Sequence, residues 1–328
     1  MIVHIPVMLE EVLSSLTIKG DDIIVDCTLG EGGHAAAFLE RLKGGVLIGI
    51  EQDEEILSRA CELLKPFGER FIPVHDNFFN IKKIVKGLFP DGIDKVFFDL
   101  GISMYHIAKS GRGFSFSRSE PLDMRLDMAK TLTACDVINK FDKKKLAEII
   151  WAYGEEVLAN RIAAFIVSER KRKPITTSTE LADIVKRAVP RKLWPRKIHP
   201  ATKTFQAIRI FVNDELEVLE KALRDGIDIL RTGGRICVIS FHSLEDRIVK
   251  TVFQELERGC HCPPDFPVCV CGGKRIIKVL SKKPRFPGEE ELKRNPSSRS
   301  ARLRFALKLD NQEANIDGIL QKERAFGT

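Results

Sequence analysis

Short apolar runs rich in β-branched and aromatic residues, at 23–27, 46–50, 71–74 and 96–100, alternate with helix-like stretches through the first hundred residues. The intervening segments 34–42 and 54–64 repeat apolar residues every three or four positions, which puts them on one face of a helix. Strands that alternate with helices build a parallel sheet covered on both faces. Near-continuous apolar strands belong in such a sheet because neither face meets water. The alternation predicts an α/β fold. A composition that is 44% hydrophobic and 30% charged excludes a wholly disordered, collagen-like or coiled-coil chain.

From about 131 to 212 the β signal vanishes and the pattern is helical. Thr177 and Glu180 form a capping box that predicts a helix running to about Val189. Pro190, Pro195 and Pro200 then punctuate a basic connector. Leu216, Leu219, Leu223, Ile227 and Leu230 recur at helical spacing, and that helix is expected to end at Gly233-Gly234. Strands follow at 236–240, 275–280 and 301–309. A length of 328 residues suits two domains, or one with a large insertion. The expected organisation is a sheet domain at 1–110 and 213–328, interrupted by an all-helical insertion at 111–212.

The first strand leads into Asp26-Cys-Thr-Leu-Gly30-Glu-Gly32-Gly33-His34, which opens the first helix of the alternating region. Glycines there permit a tight turn and close approach of a ligand to backbone N–H groups at a helix N-terminus. Glu51 ends the second strand, where a carboxylate holds ribose hydroxyls in dinucleotide folds. Gly30-x-Gly32-x-x-Ala35 also satisfies the loose NAD pattern, so an oxidoreductase is one alternative. Asp26 opposes it: an acid at the strand end suits the α-amino group of S-adenosylmethionine better than a pyrophosphate. Asp99 ends the fourth strand, and ligands of doubly wound sheets sit beyond the carboxyl ends of strands.

The net charge of +7 conceals a segregation. Segment 161–210 holds 13 Lys/Arg against 3 Asp/Glu, segment 274–308 holds 12 against 3, and the remainder is net negative. Two basic segments on an otherwise acidic chain point to a polyanionic partner, most simply nucleic acid. No apolar run reaches the roughly 20 residues of a membrane span. Residues 1–11 lack the basic and apolar regions of a secretory signal, and eight cysteines in 328 residues make no disulfide framework. A cytoplasmic location is the default expectation.

Taken together, the motifs resemble one family, the bacterial small-subunit ribosomal RNA cytosine-N4 methyltransferases (the RsmH/MraW family). The resemblance rests on His4-Ile-Pro-Val-Met-Leu-Glu-Glu, the glycine segment, Asp99-Leu-Gly-Ile-Ser103, and the long segments at 112–127, 199–216, 240–247 and 295–304. These run in order over nearly the whole chain. The segment around Gly233-Gly234 also resembles the turn before the fifth strand of Rossmann-like methyltransferases. The resemblance implies a Rossmann-like S-adenosylmethionine-dependent methyltransferase sheet with an inserted helical domain. It implies methylation of the exocyclic N4 of a cytidine in the decoding region of the small ribosomal subunit's RNA. Cofactor contacts carry over by position to Gly32, Gly33, His34, Glu51, Phe78, Asp99 and His106, beside Asp26 and Gly30 of the glycine segment. His106 is a departure, since the family usually has glutamine there.

Asp99 is the first candidate to accept the amine's hydrogen bond, and His242 in Ser240-Phe-His-Ser-Leu-Glu-Asp is a second catalytic candidate with a structural alternative. Phe114 and Phe116 in the arginine-rich loop could stack a base or serve as a buried clamp. Trp151 and Trp194 are expected in core and hinge packing. Cys260, Cys262, Cys269 and Cys271 offer four thiolates, but not at the usual C-x-x-C spacing, so zinc stays an open option that the chemistry does not need. Two other functions remain: methylation of adenine N6, and a non-catalytic ribosome-assembly factor that binds the cofactor.

Overall fold

The computed structural model describes residues 6–196, 198–259, 262 and 271–310. The chain divides into two compact units, one holding the described residues up to Gly101 and from Glu217 onward, the other residues 102–216.

The first unit opens with α1 (Leu9–Leu16), β1 (Ile23–Asp26), α2 (Gly33–Arg41), β2 (Val46–Glu51), α3 (Glu54–Leu64), β3 (Phe71–His75), α4 (Ile81–Leu88) and β4 (Ile93–Asp99). The second unit supplies α5 (Met104–Ala108), α6 (Ala134–Lys140), α7 (Lys143–Gly154), α8 (Ala159–Arg170), α9 (Ser178–Ala188) and α10 (Thr202–Asn213). The chain then continues with α11 (Glu215–Asp228), β5 (Leu230–Ser240), α12 (Ser243–Arg258), β6 (Ile277–Val279), α13 (Glu289–Arg294) and β7 (Arg302–Lys308).

The strands form one sheet in the order β3-β2-β1-β4-β5-β7-β6. β1 to β5 are parallel, while β7 runs antiparallel to β5 and β6 antiparallel to β7. Strand alternation feeds two cores. Val25, Val96, Phe98, Ile236 and Val238 enter one. Ile24, Phe97, Cys237 and Ile239 enter the other. Both faces are dry, as the apolar runs demanded. The strand order reverses at the β1/β4 pair, so the crevice past their carboxyl ends is the topological switch point. The fold is a Rossmann-like doubly wound sheet extended by an antiparallel β7 and β6.

One boundary differs from the sequence expectation. The helix ends at Asp228, not at the glycine pair, and β5 already begins at Leu230. Leu230 pairs with Ile93 and Arg235 with Lys95, so five steps along β5 oppose two along β4. Gly233, at φ +80°, lies inside this bulge, and a Cβ on Gly234 would come within 2.9 Å of Asp94 O. The glycines thus serve an irregular strand instead of ending a helix.

The second unit is helical around its own core, which includes Val137, Leu146, Ile150, Ile162, Val185 and Ile208. Thr177 and Glu180 make the expected reciprocal cap on α9. Trp194 packs partly buried on this core and donates Nε1–H to Val189 O at 3.0 Å. Trp151 does not pack: it is 67% exposed, because α7 buries the side that carries Leu146, Ile149 and Ile150.

Candidate functional site

After β1 the chain turns sharply beneath two neighbouring strands. Cys27 N–H donates to Phe97 O and Leu29 N–H to Ile50 O, which extends both pairings past the last strand residue. Gly30 (φ +53°) and Gly32 (φ +86°) take backbone conformations that side chains resist. Gly33 is needed for another reason, since a Cβ there would stand 2.8 Å from Pro6 Cγ. α2 then starts with no side-chain cap and no acid in its first turn. α3 is the contrast, capped by Asp53 and carrying Glu54 and Glu55. The positive end of α2 is therefore left for an anionic group.

Carboxylates gather around this turn. Glu51 accepts from Gly30 N–H and Asp53 N–H, both at 3.0 Å, one on each oxygen. Asp26 is 1% exposed; Oδ1 accepts from Thr28 N–H at 3.1 Å and Oδ2 has no hydrogen-bond partner. Burial pushes Asp26 up to about 7, against the Thr28 hydrogen bond and with a further push from Glu51. Asp99 N–H donates to Thr28 Oγ1 at 2.6 Å, and its Oδ1 is buried without a partner. Burial first, then the charges of Asp26 and Glu245, hold Asp99 well above the usual carboxylate range.

His34 is 6% exposed and turned inward. Its Nε2 lies 3.0 Å from Val7 O, its Nδ1 3.6 Å from Asp99 Oδ2, and its ring packs on Phe97 at 4.8 Å. His242 occupies the N-cap of α12: Nδ1 accepts weakly from Glu245 N–H at 3.4 Å, while Glu245 Oε2 accepts from Phe241 N–H. His242 Nε2 is 3.0 Å from Glu245 Oε1 but too poorly aligned for a hydrogen bond. Phe78 follows β3, with its ring edge-on to Phe98 at 5.7 Å.

Asp26, Gly30, Gly32, Gly33, His34, Glu51, Phe78 and Asp99 are thus linked around the carboxyl ends of β1, β2 and β4. His106 belongs to the second unit. There Ser103 and His106 form a capping box on α5, with Ser103 N–H on His106 Nδ1 at 3.2 Å and the ring 5.2 Å from Phe114. In the 112–127 loop Phe114 is buried, and Phe116 packs on His199 and Phe205. Arg112 Nη1 donates to Arg125 O and Leu126 O, so the loop is tied to itself. Thr28 escaped the sequence reading. Its position two residues after Asp26 was the available signal. Cys262 is buried and Cys271 exposed, whereas Cys260 and Cys269 lie outside the described residues. Among the described residues no group of three or more His, Cys, Asp or Glu is disposed to hold a metal. No described helix is long and apolar enough to cross a membrane.

The model of the MraW methylase family matches residues 1–309. The chain belongs to the MraW methylase family. It is similar to the ribosomal RNA small subunit methyltransferase H of Carboxydothermus hydrogenoformans, at 49% identity over 93% of this chain and 98% of that one. The proteins of the same name from Geotalea uraniireducens (49%) and Brevibacillus brevis (47%) cover the same shares of both chains. An MraW methylase takes its methyl group from S-adenosylmethionine, and the edge just described fits that donor. The uncapped end of α2 suits its carboxylate, and Asp26 Oδ2, buried without a hydrogen-bond partner, suits its ammonium.

Proposed function

We propose that this methylase transfers a methyl group to N4 of a cytidine in the decoding region of small-subunit ribosomal RNA. The observation that carries the reading is Asp99 Oδ1, a buried acceptor without a partner at the switch point of a methylase sheet. S-adenosylmethionine supplies an electrophilic methyl on a sulfonium, whose S–C electron pair stays with sulfur. The protein's task is to position a poor nucleophile, since the lone pair of the cytosine amine is delocalised into the ring. Asp99 Oδ1 accepts a hydrogen bond from the amine N–H. That bond strengthens as nitrogen becomes cationic and loses its proton. Asp26 and Glu51 bind the donor, and Phe78 flanks its adenine.

The helical unit is read as the RNA-recognition part. Lys171, Arg172, Lys173, Arg191, Lys192 and Arg196 are all exposed on it, which suits phosphate contacts. A ribosomal substrate places the protein in the cytoplasm.

The test supplies labelled S-adenosylmethionine and small subunits from cells lacking the protein, then digests the RNA to nucleosides. Label in N4-methylcytidine is expected. Label in another nucleoside overturns the base assignment, and cofactor binding with no label in any nucleoside leaves a non-catalytic assembly factor.

A further inference from the structure

The helical unit carries only one of the two basic segments; the other, 274–308, lies on the sheet unit. Beyond β6 the chain stays beside β7 without pairing regularly. Val279 opposes Ala306 and Arg285 opposes Leu303, so six steps along this segment face three along β7. The surplus falls at Lys282, Lys283 and Pro284, and both lysines are exposed. Each end of this loop is pinned. The Oγ of buried Ser281 accepts from Phe305 N–H at 2.8 Å, and Arg285 exchanges backbone hydrogen bonds with Leu303 at 2.9 Å. The Arg285 guanidinium lies 4.6 Å from the centre of the Phe305 ring. Phe286 follows and is 59% exposed.

Elsewhere on the sheet unit exposed cations are paired with acids: Lys82 with Asp228 at 2.6 Å, Lys221 with Asp225 at 2.5 Å, Arg231 with Asp94 at 3.3 Å. Among the described residues Lys282 and Lys283 have no ion-pair partner. The acids that follow, Glu289, Glu290 and Glu291, occupy the first turn of α13, where a helix N-terminus favours them. Lysine and proline beside an edge strand also discourage strand addition, but that purpose gives no reason to hold a phenyl ring in water. The sheet register locates the loop. Asp99 pairs with Ile239, Ile239 with Leu303, and Leu303 with Arg285. Three strand spacings put Arg285 about 14 Å from Asp99 along one row. Since β6 is antiparallel to β7 and β7 to β5, the chain here runs towards the carboxyl edge, and Phe286 is the residue that passes it.

We propose that the loop 282–286 is a second RNA-binding surface: Phe286 stacks an unpaired base, and Lys282 and Lys283 meet phosphates of the strand whose cytidine reaches Asp99. This rests on the reading of small-subunit RNA as the substrate. A base that reaches a buried acceptor must leave its stack, so its neighbours are single-stranded and free to stack elsewhere. Positive charge beside an exposed aromatic ring is the combination that single strands bind, because every base has a π-face and every linkage a charge. A few nucleotides of extended strand bridge the distance from Asp99 to the loop.

The test measures binding and turnover of the full chain with small subunits from cells lacking the protein. Phe286→Ala should raise KM for subunits about tenfold, with kcat within about twofold and the affinity for S-adenosylmethionine unchanged. Phe286→Trp should keep the wild-type KM, because a larger aromatic face stacks as well. Phe286→Leu, apolar but not planar, should behave like the alanine variant. Lys282→Ala combined with Lys283→Ala should flatten the log–log salt dependence of binding by about 1.4, the single-strand value for two phosphates. A photoreactive azidophenylalanine in place of Phe286 should cross-link to RNA close to the methylated cytidine, which decides the matter even if the alanine variant is unstable. A wild-type KM in Phe286→Ala or Phe286→Leu, an unchanged salt slope in the double lysine variant, or a cross-link to ribosomal protein overturns this surface and leaves the methylase reading intact. If the wild-type protein neither binds nor methylates small subunits, the substrate reading falls and the surface falls with it.

Discussion

Asp26 holds a proton to about 7 where an ordinary aspartate ionises at 3.8, and this has a stability consequence. As pH rises the unfolded chain ionises this group first. Stability that is fully present below about pH 4 is therefore lost progressively up to about pH 7, on the order of 4 kcal/mol in all. Asp26→Asn should raise the melting temperature at pH 8 and leave it unchanged at pH 4, while weakening S-adenosylmethionine binding; scanning fluorimetry at the two pH values and calorimetry check the two halves. Equal melting temperatures at pH 8 would mean that the carboxyl is not strained by burial. Asp99→Asn preserves shape and removes the carboxyl group that accepts from the amine and can take up its proton, so kcat should drop by about 100-fold or more with the fold intact. Near-normal turnover would take Asp99 out of the chemistry. Glu51→Ala should weaken donor affinity by about tenfold, on the scale of one or two hydrogen bonds, and an unchanged dissociation constant would discredit the ribose assignment.

At the scale of elements, His242 is the N-cap of α12, with Glu245 closing the reciprocal contact. Asparagine caps helices well and alanine does not, so His242→Asn should keep stability while His242→Ala loses about 1 kcal/mol in denaturant titration. If both variants turn over normally, capping is the whole role of this histidine. A rate loss in the well-folded asparagine variant would show chemistry beyond it. The strands β1 to β4 and the α9 cap were legible in the sequence because periodicity and caps are local signals. The bulge of β5 was not, because Gly233-Gly234 marks a helix end and an irregular strand equally well, and only pairing with Ile93 and Lys95 decides. At the site, Asp26, Glu51 and Asp99 were readable as strand-end acids. The inward turn of His34 and the capping use of His106 depend on Val7, Asp99 and Ser103 as spatial partners, which spacing alone does not reveal. Trp151 was misplaced because aromatic residues usually bury, yet its position on α7 lies off the apolar stripe.

For the whole molecule, the segregation of charge sets the response to salt. Binding to small subunits should weaken with a linear log–log dependence on salt concentration. Replacing Lys171, Arg172 and Lys173 together by alanine should flatten that slope by roughly 2 to 3 if all three meet phosphates. An unchanged slope would place the RNA elsewhere. The pairing of β4 with β5 joins chain segments separated by the entire helical unit. During synthesis the first four strands can assemble while the edge of β4, with Val96, Phe97 and Phe98 beside it, has no neighbour. At typical elongation rates the roughly 140 residues up to Ser240 take about 7 to 28 s to emerge, long enough for the helical unit to form first. A nascent chain therefore carries a sticky, half-finished sheet for many seconds, and chaperone dependence in cells would be set by that interval more than by the stability of the finished protein.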